Sequence, residues 1–284
     1  MSGLLNIILL TLFVCTFVSY TPAQCEEQTC AEVVVSSAIR PYLDASDALM
    51  RNLSIKANEI VLSSEQGNSH VIAVLKASRC RYVIAVGYKA YSLVERVSGK
   101  ERFYTMVLYP QKSRLFSCGL SLDITCGVLK RALEGIGNSG SIGVALLFSQ
   151  KELEPYVIKL SKCMKNEGIK AEPVRVSVEK PLADLARRVG RYRVIVALPD
   201  SIFSSEDVLE GVCELAAAHG VKLVGFNQLF LKRGAYAALL IDYSKVGALT
   251  ARIINRYMRN GICTTEDPPY KLVLNPSMRG EVHE

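Results

Sequence analysis

Short runs of apolar, β-branched residues alternate with segments of helical apolar spacing along almost the whole chain. Because strands covered by helices on both faces are apolar throughout, this alternation is typical of parallel sheets. In the first half it predicts strands at residues 33–37, 59–63, 82–86 and 104–109, and helices at 42–53, 69–77 and 88–97.

The alternation restarts after a run at residues 116–122. It predicts helices at 124–133, 152–166, 181–189 and 206–219, and strands at 141–148, 174–178, 192–198 and 221–226. A Lys232-Arg233-Gly234 turn, another strand, a helix from Asp242 to Gly261 and a strand from Tyr270 follow. That order is expected of a chain returning from one array to the other. The predicted fold is α/β, with two Rossmann-like lobes whose parallel sheets are joined by hinge strands.

The predicted N-terminal lobe comprises residues 30–117 and 232–262, and the C-terminal lobe residues 118–231. Residues 263–284 are predicted to form a terminal hinge strand and tail. We expect the hinge near residues 112–117, near 227–233 and in the terminal strand. Small domains of this length bury enough apolar surface to fold independently.

Residues 1–24 are predicted to be a signal peptide or an N-terminal anchor. Residues 4–20 are almost wholly apolar, and small residues precede a cleavage position near Ala23. The first six residues lack Lys and Arg, and the segment is long enough to be retained as an anchor. Cys25 raises the possibility of lipidation, but Gln24 argues against it. We expect an exported, periplasmic or extracytoplasmic protein.

The formal net charge of +7 does not by itself indicate nucleic-acid binding. Lys and Arg are scattered among acidic residues rather than clustered with aromatic ones, so no nucleic-acid partner is predicted. The positive excess could favour anionic solutes or an anionic membrane surface.

Nine cysteines are present, and the eight beyond the predicted cleavage position could pair in an oxidising compartment. Cys25 and Cys30 are close enough in sequence to bridge locally. Cys118, Cys163 and Cys213 lie inside apolar runs, which favours buried free thiols. The cysteine spacing does not match a zinc site and only three histidines are present, so neither a metal nor a cofactor is predicted.

The segment Gly135-Ile-Gly137-Asn-Ser-Gly140 matches GxGxxG, but it follows a predicted helix and precedes a strand. A dinucleotide site needs the opposite order, so the segment is interpreted as a helix end and turn. Neither GxSxG nor HExxH occurs, and His219 is expected to cap a helix. We therefore do not predict an enzyme.

Polar and aromatic residues follow several predicted strands, where two facing sheet edges would form a cleft. An Arg there could bind a carboxylate, Asp200 an ammonium, and a Tyr an apolar group. Alternatively, Asp200 and Ser201 cap a helix, Arg40 and Pro41 begin one, and Tyr109 with Pro110 forms a turn. The candidate ligand-binding residues are Arg40, Pro41, Tyr42, Gly87, Tyr88, Lys89, Tyr109, Asp200, Ser201, Asn227 and Gln228.

The chain resembles the substrate-binding proteins of ABC transporters that include tryptophan- and tyrosine-binding members. The matching segments are IRPYLDA (39–45), VIAVGYKA (83–90), YTMVLYP (104–110), GLSLD (119–123), IGVALLFS (142–149), VALPDS (196–201), LFLKRGAYAALLIDYSKVG (229–247) and LVLNP (272–276). The resemblance implies a type I periplasmic-binding-protein fold and a monomer that passes a small solute to an ABC permease without chemistry.

Two departures from that family lie near the expected cleft. Residues 149–155 (SQKELEP) lack the Asn-Pro-rich turn common in the family, and Lys89 stands where a small or hydroxyl residue is frequent. These departures leave two interpretations open: a solute other than an aromatic amino acid, or the loss of transport. The alternatives are a bilobed sensory module without a transport role and an α/β enzyme.

Overall fold

The computed structural model describes residues 28–63, 67–110, 115–137 and 143–277. The predicted leader, Cys25 and the predicted hinge residues 112–114 lie outside these ranges. Within them, no helix is both long enough and apolar enough to cross a membrane.

The first lobe is built on a sheet of five parallel strands in the order β2-β1-β3-β4-β5. These are β1 (Gln28–Val35), β2 (Lys56–Val61), β3 (Cys80–Val86), β4 (Glu101–Val107) and β5 (Cys118–Ser121). Helices α1 (Arg40–Asn52), α2 (Asn68–Ala77) and α3 (Tyr88–Val94) follow the first three strands. Val33 and Ile84 face one apolar core and Val34 and Val83 the other, which explains why the strands are apolar throughout.

The second lobe is built on a six-stranded sheet in the order β11-β10-β9-β8-β6-β7. Its strands are β6 (Val144–Phe148), β7 (Ala171–Arg175), β8 (Val194–Ala197), β9 (Lys222–Gly225), β10 (Ala237–Ile241) and β11 (Tyr270–Leu274), of which β11 is antiparallel to β10. The helices of this lobe are α4 (Cys126–Gly135), α5 (Glu154–Asn166), α6 (Pro181–Ala186), α7 (Glu206–Ala218) and α8 (Gln228–Lys232).

The chain passes between the lobes at residues 122–125, at Asp242 and at residues 261–269. The second passage leads into α9 (Tyr243–Asn260), which packs against α1 of the first lobe. A Cβ on Gly247 would overlap the Ala45 carbonyl oxygen and lie 2.8 Å from the Leu49 nitrogen, so α1 and α9 touch backbone to backbone. Asp242 caps α9 by accepting a bond from the Lys245 nitrogen at 3.0 Å, so the helix begins and ends where the sequence predicts.

The two-lobed α/β fold predicted from the sequence is confirmed, but the lobe boundaries differ. Strand β5 belongs to the first sheet, so that lobe extends to Ser121 rather than ending at 117. Residues 237–241, predicted in the first lobe, form β10 of the second sheet. Residues 227–233 are α8 and its caps and not a passage between lobes. These assignments were wrong because the apolar composition of a strand shows that the strand is buried but not which of the two sheets it joins.

Strand β7 begins and ends three residues before the predicted strand at 174–178. Pro173 obscured its start, because proline is rare inside sheets. The strand is an edge strand paired on one side only, with β6, and a proline is tolerated there.

Three disulfides cross-link the described residues: Cys30–Cys80, Cys118–Cys263 and Cys126–Cys163. The predicted Cys25–Cys30 bridge is wrong, and so are the free thiols predicted at Cys118 and Cys163. Half-cystines are as apolar as free cysteines, so an apolar run does not distinguish them. Cys213 is a buried free thiol as predicted, and burial raises its pKa to about 11.

Candidate functional site

A cavity of about 360 Å³ lies between the lobes, where the carboxyl ends of their strands face each other. The first lobe contributes Leu108 and Tyr109, which follow β4. The second lobe contributes the segments after β6, β8 and β9, namely Gln150, Pro199, Asp200, Ser201, Phe203, Ser204, Phe226, Asn227 and Leu229. Ligands of open parallel sheets bind at this edge, so the cavity is the candidate site.

A larger groove of about 550 Å³ runs along the outer face of α9. Its lining includes the exposed side chains of Lys245, Arg252 and Arg259, and none of its described lining residues comes from the loops that follow β3, β4, β6, β8 or β9. We therefore take the interlobe cavity as the candidate site because of its position at the strand ends, although the groove is larger.

Tyr109 joins the two lobes at the cavity. Its backbone has φ 49°, an uncommon value for a residue other than glycine, and its nitrogen donates to Asp123 Oδ1 at 2.6 Å. Its hydroxyl donates to the Pro199 carbonyl oxygen at 3.0 Å. Burial raises the pKa of Tyr109 far above its usual value, and the nearby Tyr156 ring, 4.8 Å away between centroids, adds to this. The hydroxyl therefore stays protonated and remains a donor.

Asp200 is a buried anchor between two loops of the second lobe. Its carboxylate accepts bonds from the Ser149 nitrogen (2.7 Å), the Ser149 hydroxyl (2.7 Å), the Gln150 nitrogen (3.1 Å) and the Ile202 nitrogen (3.0 Å). These four bonds use the acceptor positions of a carboxylate. The geometry supports the capping alternative for Asp200 and leaves the predicted ammonium-binding role without free acceptors.

Two neighbouring polar residues of the second lobe, Ser201 and Asn227, make hydrogen bonds within the protein. Ser201 accepts a bond from Gln150 Nε2 at 2.7 Å. Asn227 caps α8 through Oδ1, which accepts from the Leu229 nitrogen at 2.9 Å, and its NH₂ group is not used by that cap. Gln228 begins α8 at the exposed surface and does not line the cavity.

Aromatic side chains that the sequence reasoning missed form the second-lobe wall. The Phe203, Phe226 and Phe230 rings pack with centroids 5.2–6.0 Å apart. Phe230 is wholly buried, whereas Phe226 is half-buried and lines the cavity. Phe226 ends a predicted strand, and its position immediately before the polar pair 227–228 was the signal available for it.

Gly87 and Tyr42 meet at the carboxyl edge of the first sheet. Gly87 has φ 87°, and a Cβ there would lie 2.7 Å from the Ser36 hydroxyl and 2.8 Å from the Tyr42 ring. Glycine is therefore required twice, for its backbone conformation and for this close approach. Pro41 lies beside Tyr42 in the first turn of α1.

The remaining first-lobe candidates are exposed on the same edge but do not line the cavity. Arg40 pairs with Asp44 at 3.6 Å with 91% of its side chain exposed, so the pair adds little stability. Tyr88 stacks on Tyr91 with ring centroids 6.4 Å apart and is itself exposed, as is Lys89.

Other features of the described chain match their sequence interpretation. Helix α4 ends at Gly135, and Gly137 adopts φ 74° in the turn, as predicted for the GxGxxG segment. His219 caps α7, with Nδ1 2.9 Å from the Leu215 carbonyl oxygen. Within the described ranges, no cluster of His, Cys, Asp and Glu has an arrangement that could hold a metal ion.

Solved structures share this two-lobed fold. The open, ligand-free form of a substrate-binding protein with adhesive properties from Clostridium difficile aligns with TM-score 0.68 and 10% identity, over 88% of this chain and 93% of that one. An ABC domain in complex with L-Trp from Streptococcus pneumoniae gives TM-score 0.51 and 13% identity over 88% and 93%. A probable maltose operon transcriptional repressor from Staphylococcus aureus gives 0.56 and 12% over 89% and 99%.

No protein-family model and no curated protein sequence matches the chain. At 10–13% identity the similarity to these structures shows a shared fold and nothing finer. That fold is the two-lobed arrangement of type I periplasmic binding proteins expected from the sequence.

Proposed function

We propose that this protein is an extracytoplasmic solute-binding protein that captures a small solute between its lobes by hinge closure. The observation that carries the proposal is the cavity between the facing carboxyl edges of the two sheets, with both lobes contributing to its lining. A solute held there contacts both lobes at once, so it stabilises the closed arrangement more than the open one.

The three passages of the chain between the lobes supply the hinge. Residues 122–125, Asp242 and residues 261–269 connect lobes that each have their own sheet and cores. A rotation that closes the cavity then needs backbone changes at these few positions and a rearrangement of the Tyr109–Pro199 hydrogen bond, which also crosses between the lobes. The site residues of the first lobe, including Arg40, Tyr88 and Lys89, are proposed to reach the solute on closure.

The disulfides support a location outside the cytoplasm. Three disulfides are common in exported proteins and rare where thiols are kept reduced. In this proposal the leader directs export, the protein acts as a monomer, and an ABC permease receives the solute. No chemical step is assigned to the protein.

A sensory or regulatory module on the same fold is the alternative, because one of the similar structures is a probable transcriptional repressor. Neighbouring permease and ATPase genes would favour transport, and a neighbouring kinase or cyclase gene would favour sensing. An enzyme is less well supported. The Asp200 carboxylate bonds to Ser149 and backbone nitrogens, and Arg40 pairs with Asp44 in solvent, so neither makes a buried acid–base pair.

Calorimetry and small-angle X-ray scattering test the proposal together. The mature protein is titrated with a panel of amino acids, aromatic acids, amines, sugars, nucleosides and small amides. We expect at least one class to bind, to raise the melting temperature and to lower the radius of gyration. A folded protein that binds nothing in the panel contradicts the proposal, and so does binding without compaction.

A further inference from the structure

Exposed apolar side chains are concentrated at the two sheet edges that face the cleft. Five of the nine large apolar residues that are exposed in the described chain follow the carboxyl ends of parallel strands: Ile39, Tyr88, Leu108, Val178 and Leu229. Single exposed apolar residues are ordinary, but two of these five, Leu108 and Leu229, lie in the cavity lining on opposite lobes, which indicates an apolar binding surface there.

The cavity wall adds an aromatic face to these residues. Phe226 is half-buried there, and its ring is held in place by Phe203 and Phe230 behind it. Leu108 from the first lobe and Leu229 from the second lie in the same lining. A flat apolar group between them would bury apolar surface on both of its faces, and removing that surface from water favours binding.

The polar groups of the lining are neutral with one exception. Gln150, Ser201, Ser204 and Asn227 supply amide and hydroxyl groups. Among the described residues that line the cavity, Asp200 is the one carboxylate, and its oxygens already accept four bonds. An ammonium enclosed in this cavity would lose its water without gaining a charged partner, which is unfavourable.

An anionic group meets different surroundings. Arg40 and Lys89 are exposed cations at the facing edge of the first lobe. Their exposure leaves them hydrated and able to approach a solute carboxylate at the mouth of the cleft. The pairing of Arg40 with Asp44, at 3.6 Å and largely exposed, is weak enough to be exchanged.

We infer that the cleft binds a solute with an aromatic or apolar body and no cationic group, such as an aryl carboxylic acid, rather than a free amino acid. This inference rests on the proposed function, because it concerns the ligand of the same cleft. It follows from the apolar lining together with the saturation of Asp200.

Matched ligands that share one ring test the inference by calorimetry at neutral pH. The two series are 3-phenylpropionate, L-phenylalanine and phenethylamine, and indole-3-propionate, L-tryptophan and tryptamine. We expect the carboxylate to bind at least about tenfold more tightly than the amino acid, corresponding to about 1.4 kcal/mol, and the amine to bind most weakly. An amino acid or amine that binds as tightly as the carboxylate overturns the inference.

The same panel distinguishes a failure of the inference about the ligand from a failure of the proposed solute-binding function. Binding of sugars with no measurable binding of aryl acids would overturn the inference and leave solute binding intact. If no solute in the broader panel binds to the folded protein, both are rejected.

Variants provide an independent test. Leu229→Ala is expected to weaken aryl-acid binding about five- to tenfold through lost apolar contact. Ile158→Ala is the matched control, because Ile158 is also an exposed aliphatic residue but lies on α5 and does not line the cavity. Ser204→Asp places a free carboxylate in the lining and is expected to reverse the preference towards phenethylamine. Unchanged affinity in Leu229→Ala, or an unchanged preference in Ser204→Asp, counts against the inference.

Discussion

The Tyr109 hydroxyl donates a hydrogen bond to the Pro199 carbonyl oxygen at 3.0 Å, and this bond joins the end of β4 in the first lobe to the end of β8 in the second. Both residues line the interlobe cavity. The bond therefore fixes the distance between the lobes at the site itself, while the backbone passages fix it elsewhere.

Tyr109→Phe removes this bond and keeps the ring. We expect a loss of about 0.5–1.5 kcal/mol in unfolding free energy and a larger radius of gyration without ligand, because the lobes lose a direct contact. Scattering and denaturant unfolding measure the two effects. Tyr192→Phe is the control, since its hydroxyl bonds to Glu172 within the second lobe at 3.4 Å. Equal radii for Tyr109→Phe and the unaltered protein would contradict this role.

Asp200→Ala is expected to lower the unfolding free energy by about 3 kcal/mol, since it leaves buried donors on Ser149 and Ile202 without an acceptor. Asp200→Asn retains one oxygen and is expected to cost less. Urea unfolding gives both values. If Asp200→Ala proved as stable as the unaltered protein but lost ligand binding, Asp200 would be a ligand group and not an anchor.

Asp123 gives stability a predictable pH dependence. Burial raises the pKa of its carboxyl, although bonds from the Tyr109 nitrogen and the Ser121 side chain partly oppose this. The folded protein then holds this proton at a higher pH than the unfolded chain does. The stabilisation is complete below the unfolded pKa, about 3.9, and is lost as pH rises through the raised folded value.

Asp123→Asn isolates that contribution, because asparagine cannot titrate and retains an oxygen for the Tyr109 nitrogen. We expect the stability of the variant relative to the unaltered protein to increase between pH 4 and pH 7. Other carboxyl groups cancel in this difference. A difference that stays constant or falls over the interval would show that burial does not raise this pKa.

Gly247→Ala tests the contact between α1 and α9. The added Cβ overlaps the Ala45 carbonyl oxygen, so the helices must separate, and we expect a loss of about 2–3 kcal/mol in unfolding free energy. Gly190→Ala is the control, because its Cβ would meet only the His219 ring, at 3.8 Å, and we expect a change below about 1 kcal/mol. Similar losses for both variants would mean that α9 tolerates displacement.

The fold could be predicted because burial on both faces of each sheet leaves a direct trace in composition. Val33 and Val34 face different cores, yet both must be apolar. The sequence did not show to which sheet β5 and β10 belong. Each lies beside a passage between lobes, and an apolar strand is equally suited to either sheet.

The site was harder to predict because its chemistry depends on distant pairs. Tyr109, Asp200, Ser201 and Asn227 were found from their positions after strands, and all four line the cavity. The Asp200 carboxylate is occupied by hydrogen bonds from Ser149, which lies 51 residues away in the sequence. No local sequence pattern connects these two residues. Leu108 and Phe226 were not predicted, because the sequence does not show whether an apolar residue at the end of a strand faces a core or a cleft.

The Cys118–Cys263 disulfide closes a covalent loop that contains the whole second lobe except β11. During synthesis Cys30–Cys80 and Cys126–Cys163 can close while the chain is still growing, but Cys118 has no native partner until Cys263 has been made. Among the six disulfide-bonded cysteines, Cys118 therefore waits longest for its native partner, and Cys126 is only eight residues away. Native pairing of Cys118 is then completed only late in synthesis, and Cys263, which is exposed whereas Cys118 is buried, is the half of the bond that a thiol can reach more easily.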